Sequence, residues 1–212
     1  MRGFILLLAT FAAQAAFRPL PEFKAAAVRP AMFGDDELDL PYYLVHFARL
    51  ADAVVEDGPD RGFIGLSVWR SPKDNQPYNA RIMENILSLA YFYTAKRPWN
   101  SYYAAPGLRE RLEAALEFWV RIQSTEGAFS EYKPRAWNLA ATAFATKFMG
   151  QTLRLLATGP PVDPELIRRV EGAQRRAILF VLGDASSCRA RKTLFEPVHE
   201  CMAGSALLVV AA

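Results

Sequence analysis

The chain predicts an all-α fold of about three stacked helical hairpins, and three observations carry that expectation. Apolar residues recur at helical spacing over six segments, which are of two alternating kinds. Those near 42–56, 106–123 and 163–182 carry charges on one face and apolar residues on the other, whereas those near 79–95, 137–157 and 198–212 are apolar nearly all round. A helix apolar on every side must be buried, while an amphipathic one lies at a surface. The connections alternate as well. Outer-to-inner loops are long (57–78, 124–136 and 183–197), and inner-to-outer turns are shorter, with Gly159-Pro160-Pro161 the tightest. Finally, the inner segments start alike at Tyr78-Asn79, Trp137-Asn138 and Val198-His199, so a unit recurs from 79 to 138 and from 138 to 199, about one hairpin each time. Outer and inner helices in alternation form an arc around a central space, with the long loops on one face.

Each element follows from its residues. Residues 17–40 hold Pro19, Pro21 and Pro30 and are expected to be an extended lead-in. The domain proper runs over 41–212. Its first outer helix starts near Pro41, with Leu44, Ala48, Ala51 and Val55 on one side and Arg49, Asp52 and Glu56 elsewhere. In the third helix Leu108, Leu112, Ala115, Trp119 and Ile122 recur at spacings of three and four, and Arg109, Glu110, Arg111, Glu113 and Glu117 cover the opposite face. Leu166, Val170, Ala173, Ala177 and Val181 repeat the pattern in the fifth, where Arg168, Arg169, Glu171, Arg175 and Arg176 face solvent. By contrast, 86–95, 139–146 and 202–212 contain no charged residue.

With 212 residues, 52% hydrophobic and 22% charged, the chain can bury the core of one domain and lacks the composition of a disordered one. The net charge of +3 is spread over all segments, which argues against a nucleic-acid groove or attraction to an anionic membrane. The first residues are different. Arg2 precedes an apolar run over 4–13 broken only by Thr10, and Ala13-Gln14-Ala15 fits the small-x-small pattern of a signal-peptidase site. Residues 1–15 or 1–16 are therefore expected to be a cleaved secretory signal, leaving a secreted or periplasmic protein without membrane contact. A retained anchor is the competing reading, although a span needs about 20 residues. Cys188 and Cys201 are the only cysteines, and an even count in a secreted chain favours a disulfide between them. Two unpaired thiols are the alternative; a metal site with His199 is disfavoured, because the spacing matches no common zinc pattern.

The turn from the third to the fourth helix reads Gln123-Ser124-Thr125-Glu126-Gly127-Ala128-Phe129. It is similar to the Gln-x-x-Asp/Glu-Gly-x-Trp/Phe element of the α/α-toroid superfamily, which the chain also resembles in its alternation over about 40–212. Gly127 suits a tight reversal, since glycine enters the left-handed region cheaply, and Phe129 can then plug the gap between helices. That superfamily includes catalytic domains of polysaccharide lyases and glycoside hydrolases, and also terpene cyclases and protein prenyltransferases. Its members close a ring with more helices than the six expected here, so the resemblance implies a fragment that stops inside an apolar helix at 207–212.

In such a ring the inner helices start at one mouth, where unpaired N–H groups favour anions and acidic sugars. On the first, Asn79, Arg81, Glu84 and Asn85 lie within two turns, with Arg81 three and four residues from the last two. They read either as sugar ligands, with Glu84 an acid or base, or as a helix cap and an ion pair. On the second, Glu131, Tyr132, Trp137 and Asn138 combine a carboxylate with rings able to stack on sugars; Trp137 in packing and Asn138 as a cap are the alternatives. His199 and Glu200 open the third, and His199 is the best candidate for general base, the alternative being a loop histidine bonded to backbone. Trp69, with Arg70, adds an aromatic in the first long loop, while Tyr102 and Tyr103 fall on the far face and pack. Asp35-Asp36-Glu37-Leu38-Asp39 has the spacing of a terpene-synthase magnesium motif, but it stands in the lead-in and is expected to be a solvated acidic turn. No phosphate loop, paired CxxC or nucleophile elbow occurs, and no cofactor is expected.

The function these residues point to is a polysaccharide lyase or glycoside hydrolase. His199 would move protons with Glu84 or Glu131, and Arg81 would neutralise a uronate carboxylate. A non-catalytic scaffold that binds a glycan or peptide is the rival reading, and a terpene-cyclase-like enzyme a weaker third.

Overall fold

The computed structural model describes residues 16–37, 40–66 and 75–190, with the side chains of 184–190 excepted. Within them the fold is helical: α1 (Leu40–Asp52), α2 (Ile86–Thr94), α3 (Pro106–Arg121), α4 (Leu139–Thr158) and α5 (Pro164–Ala190), with a two-stranded antiparallel sheet of β1 (Phe129–Ser130) and β2 (Trp137–Asn138). These helices match five of the six expected segments; the sixth, 198–212, lies outside the described residues. Boundaries differ in three places: α1 ends at Asp52 rather than near 56, α2 begins at Ile86 rather than near 79 with the 3-10 turn Ile82–Asn85 before it, and α5 runs on past 182. Residues 183–190, expected to begin a loop, continue α5, because a lone glycine at 183 weakens a helix by only ~1 kcal/mol and no proline follows to break it. Cys188 therefore lies on α5 rather than in a connecting loop.

The helices pack in two layers. α2 lies against α4 and α3 against α5, while the sequential pairs α2/α3 and α4/α5 are also in contact. The apolar stripes decide this. Leu108, Leu112, Ala115 and Trp119 are buried, as are Leu166, Val170, Ala173, Ala177 and Val181, and Arg168, Arg169, Glu171, Arg175 and Arg176 remain exposed. α4 buries three threonines along with its alanines. Each hydroxyl donates to the carbonyl four residues back, Thr142 to Asn138 at 2.7 Å, Thr146 to Thr142 at 2.6 Å and Thr152 to Phe148 at 3.0 Å, so none enters the core unsatisfied.

Two turns of matching construction join the layers. After α1, the Val55 N–H donates to the Phe63 carbonyl (2.8 Å) and the Gly62 N–H to the Val55 carbonyl (2.9 Å). After α3, Ser124 and Ala128 (2.9 Å) and Gly127 and Ser124 (3.1 Å) repeat the pair. Both glycines have positive φ, 91° and 93°. Each presses its bare Cα against the next amphipathic helix: a Cβ on Gly62 would stand 1.9 Å from the Ala114 carbonyl oxygen of α3, and one on Gly127 2.4 Å from that of Arg176 in α5. Gln123 completes the second turn. Its amide donates to the carbonyls of Gly127 (3.1 Å) and Ala173 (2.8 Å) and accepts from Arg176 (2.8 Å). Phe129 is fully buried, its ring 4.7 Å from that of Trp119.

The lead-in is more than a linker. Three 3-10 turns interrupt it, Ala25–Ala27, Pro30–Met32 and Asp35–Glu37. Phe17 lies between the guanidinium groups of Arg61 and Arg111, at 4.9 and 5.1 Å, and its N–H donates to Glu56. This strap explains why Arg111, expected in solvent, is only 8% exposed. The strap covers it, and its guanidinium donates to the carbonyls of Arg18 and Gly107 and pairs with Asp52 at 3.0 Å. Glu37 is a second correction. Asp35 and Asp36 are exposed, but Glu37 is buried, accepts from the Gly34 N–H at 3.0 Å and pairs with Arg97 at 2.9 Å. The Gly34 hydrogen bond, aided by the Arg97 charge, holds its carboxyl below the ordinary carboxylate value against the opposing effect of burial.

Gly62→Ala and Gly127→Ala should each destabilise the protein in urea by about 3 kcal/mol, the sum of a left-handed alanine and a backbone clash. Gly58→Ala, with φ of 72° but open space around it, should lose only about 1 kcal/mol. A depressed folded-state pKa stabilises above the unfolded carboxylate value and is lost as pH falls through the folded one. The melting-temperature deficit of Glu37→Gln should therefore be constant near neutrality and shrink below the ordinary carboxylate range.

Candidate functional site: the helix-start mouth

The starts of α2 and α4 are tied together by their loops. The Ala80 N–H donates to the Ser130 carbonyl (3.0 Å), the Ser130 hydroxyl to the Tyr78 carbonyl (3.2 Å), and the Tyr78 hydroxyl to the Tyr132 carbonyl (3.3 Å). Two of the three long loops expected on one face are thus joined there, and they bring the candidates on the first two inner helices to one end of the domain.

At that end the residues divide into those that build the ledge and those that face outward. Asn79 is fully buried and its carboxamide oxygen accepts from the Arg81 N–H at 2.9 Å, which shapes the 3-10 turn Ile82–Asn85 that leads into α2. It is enclosed, and its side chain serves the turn it sits on. The Asn85 amide donates to the Ile82 carbonyl at 2.8 Å. Asn138 caps α4, its side-chain oxygen accepting from the Ala141 N–H at 2.7 Å. Its extended backbone also pairs β2 with β1, so a single residue closes the sheet and begins the helix.

Arg81 and Glu84 form an ion pair at 3.1 Å, with side chains only 13% and 12% exposed. The Arg81 guanidinium also lies over the Phe144 ring of α4, 3.7 Å from its centre. Glu84 turns inward beside Trp119, Phe148 and Met149. Glu131 is buried as well, at 5% exposure. The rings behave oppositely: Tyr132 is 62%, Trp137 41% and Phe144 38% exposed. Charges sit behind and aromatic faces in front. That order suits stacking against a flat ligand better than delivering a proton to one. Phe144 was not singled out from sequence because an apolar residue in the charge-free stretch 139–146 looks like core.

The remaining candidates lie elsewhere. Trp69, His199, Glu200 and Cys201 are outside the described residues, as is the side chain of Cys188. Tyr102 is fully buried with its ring 4.7 Å from that of Phe47, and Tyr103 is partly exposed. Among the described residues no group of three His, Cys, Asp or Glu side chains is placed to hold a metal ion.

A second concavity was not anticipated. α1, α2 and α4 enclose an open groove of about 720 Å³, into which α1 presents Tyr42, Tyr43, His46 and Arg49, and α4 presents Gln151 and Arg154. Its sequence signal is the solvent side of α1, where Tyr42, Tyr43 and Val45 occupy positions that an outer helix normally gives to charge.

Asn138→Ala should cost about 1 kcal/mol of stability by loss of the cap, and Asn138→Asp should restore most of it; equal urea midpoints for the two variants would contradict this role. Neither a protein family model, nor a curated protein, nor a solved structure matches the chain.

Proposed function

We propose that this domain is part of an α/α toroid and is a secreted carbohydrate-active protein whose helix-start mouth binds a glycan. The fold half of the reading is supported by the two layers of alternating helices and by the two matching glycine turns, which follow successive amphipathic helices and grip the next one. The ligand half is carried by one observation: the exposed rings of Tyr132, Trp137 and Phe144 at the same end as the half-hidden Arg81–Glu84 pair. Flat apolar faces fringed by hydrogen-bonding groups fit a pyranose ring, which is apolar on its faces and polar at its edges. Arg81 would favour a uronate.

Binding is the better-supported role, since the described carboxylates are turned inward or covered. A lyase or hydrolase remains the second reading, with Glu131 and Glu84 moving protons together with His199. The two separate in one experiment on the full-length protein, incubated with uronate-containing and neutral polysaccharides. Saturable binding without new unsaturated or reducing ends identifies a binding module; release of either identifies the enzyme; neither binding nor release on any glycan refutes both. Trp137→Ala should weaken glycan binding about tenfold, the scale of a buried aromatic anchor, at unchanged melting temperature because the ring is 41% exposed in the free protein.

A further inference from the structure

We propose that the groove between α1, α2 and α4 binds a single-tailed amphipathic anion of the long-chain carboxylate class. Its volume of about 720 Å³ falls within the roughly 300–1,000 Å³ of sites that enclose small ligands. The walls carry Leu40, Leu50, Leu66, Leu87 and Leu155 beside the rings of Phe47 and Phe92, an apolar lining that suits an alkyl chain. Charge in the groove is one-sided. Arg49 of α1 and Arg154 of α4 both line it, and among the described residues no carboxylate does.

Among the described residues these two arginines also have no carboxylate partner. Arg81, Arg97, Arg111 and Arg169 each face a carboxylate, whereas Arg49 and Arg154 form no ion pair among the described residues. Positive charge beside an apolar trough is the complement of an amphiphile whose anionic head meets the arginines while its tail lies along the leucines. The exposed rings of Tyr42 and Tyr43, at 68% and 56%, can then close over the tail. The groove uses the second half of α4 rather than its start, so this ligand site is independent of the aromatic mouth.

The test uses the full-length protein titrated with dodecanoate, dodecanol and butyrate below their aggregation concentrations, read by calorimetry and native mass spectrometry. Dodecanoate should bind saturably, about tenfold tighter than dodecanol at low salt, the scale of charge-assisted hydrogen bonds to the head group, and added salt should narrow the gap. Butyrate should not bind. Arg49→Gln/Arg154→Gln should lower dodecanoate to the level of dodecanol and leave dodecanol binding and melting temperature unchanged, because both side chains are exposed. Absence of saturable dodecanoate uptake, as when another part of the chain fills the groove, overturns the proposal. So does equal affinity for acid and alcohol, or a double variant that binds dodecanoate like the wild type.

Discussion

The constraint on which the layers depend is the close contact of two glycine turns with the backbone of the following amphipathic helix. At Gly62 and Gly127 there is no room for a single added carbon, because the Ala114 and Arg176 carbonyls occupy the space a Cβ would need. Such contacts set where α3 stands relative to α1 and α5 relative to α3. Behind them α2 packs against α4, and the loops that start those helices are tied together at a common end. Gln123 and Arg176 reinforce the second turn by joining it to α5 with hydrogen bonds to backbone and side chain. Arg121 does the same for the first, donating to the carbonyls of Pro59 and Arg61 at 3.0 and 2.9 Å.

Many polar groups inside this framework are matched by the turn or helix they sit on. The α4 threonines return their hydroxyls to their own helix, Asn79 and Asn138 serve the turns they sit on, and the Asn100 amide donates to the Phe92 and Ala95 carbonyls that end α2. A buried donor or acceptor left without a partner costs ~1–3 kcal/mol, which exceeds the net gain from most single contacts. The asparagines at the helix starts therefore read first as architecture. What is left for a ligand is the set of groups this architecture pushes outward: the rings at the mouth, and the arginines and tyrosines along the groove.

Much of the fold was legible because helical periodicity is a local property. The stripes in α3 and α5 named their buried residues from spacing alone, and the Gln123–Phe129 turn was recognisable from its glycine and aromatic. Arg111 and Glu37 were misread for a shared reason. Both belong to amphipathic or acidic stretches whose composition says solvent, and both are covered by chain that is distant in sequence, Arg18 over Arg111 and Arg97 over Glu37. The candidate site shows the same division. That Asn138 is a cap, and that Arg81 and Glu84 pair, follow from spacings of three residues. That Phe144 lies beneath Arg81, that Glu131 is covered, and that α1 turns its tyrosines over α2 and α4 do not.

The amino-acid sequence by itself determined where most of the described helices lie, which of their faces are apolar and where the tight reversals fall, since these depend on residues within one or two turns of each other. Only the tertiary structure decided which polar groups end up enclosed and which aromatic rings stay in solvent, because burial is a property of the neighbour that arrives from elsewhere in the chain. The strap at Phe17, the inward Glu84 and the one-sided charge of the groove exist only after the layers have closed, when distant residues compete for the same limited surface.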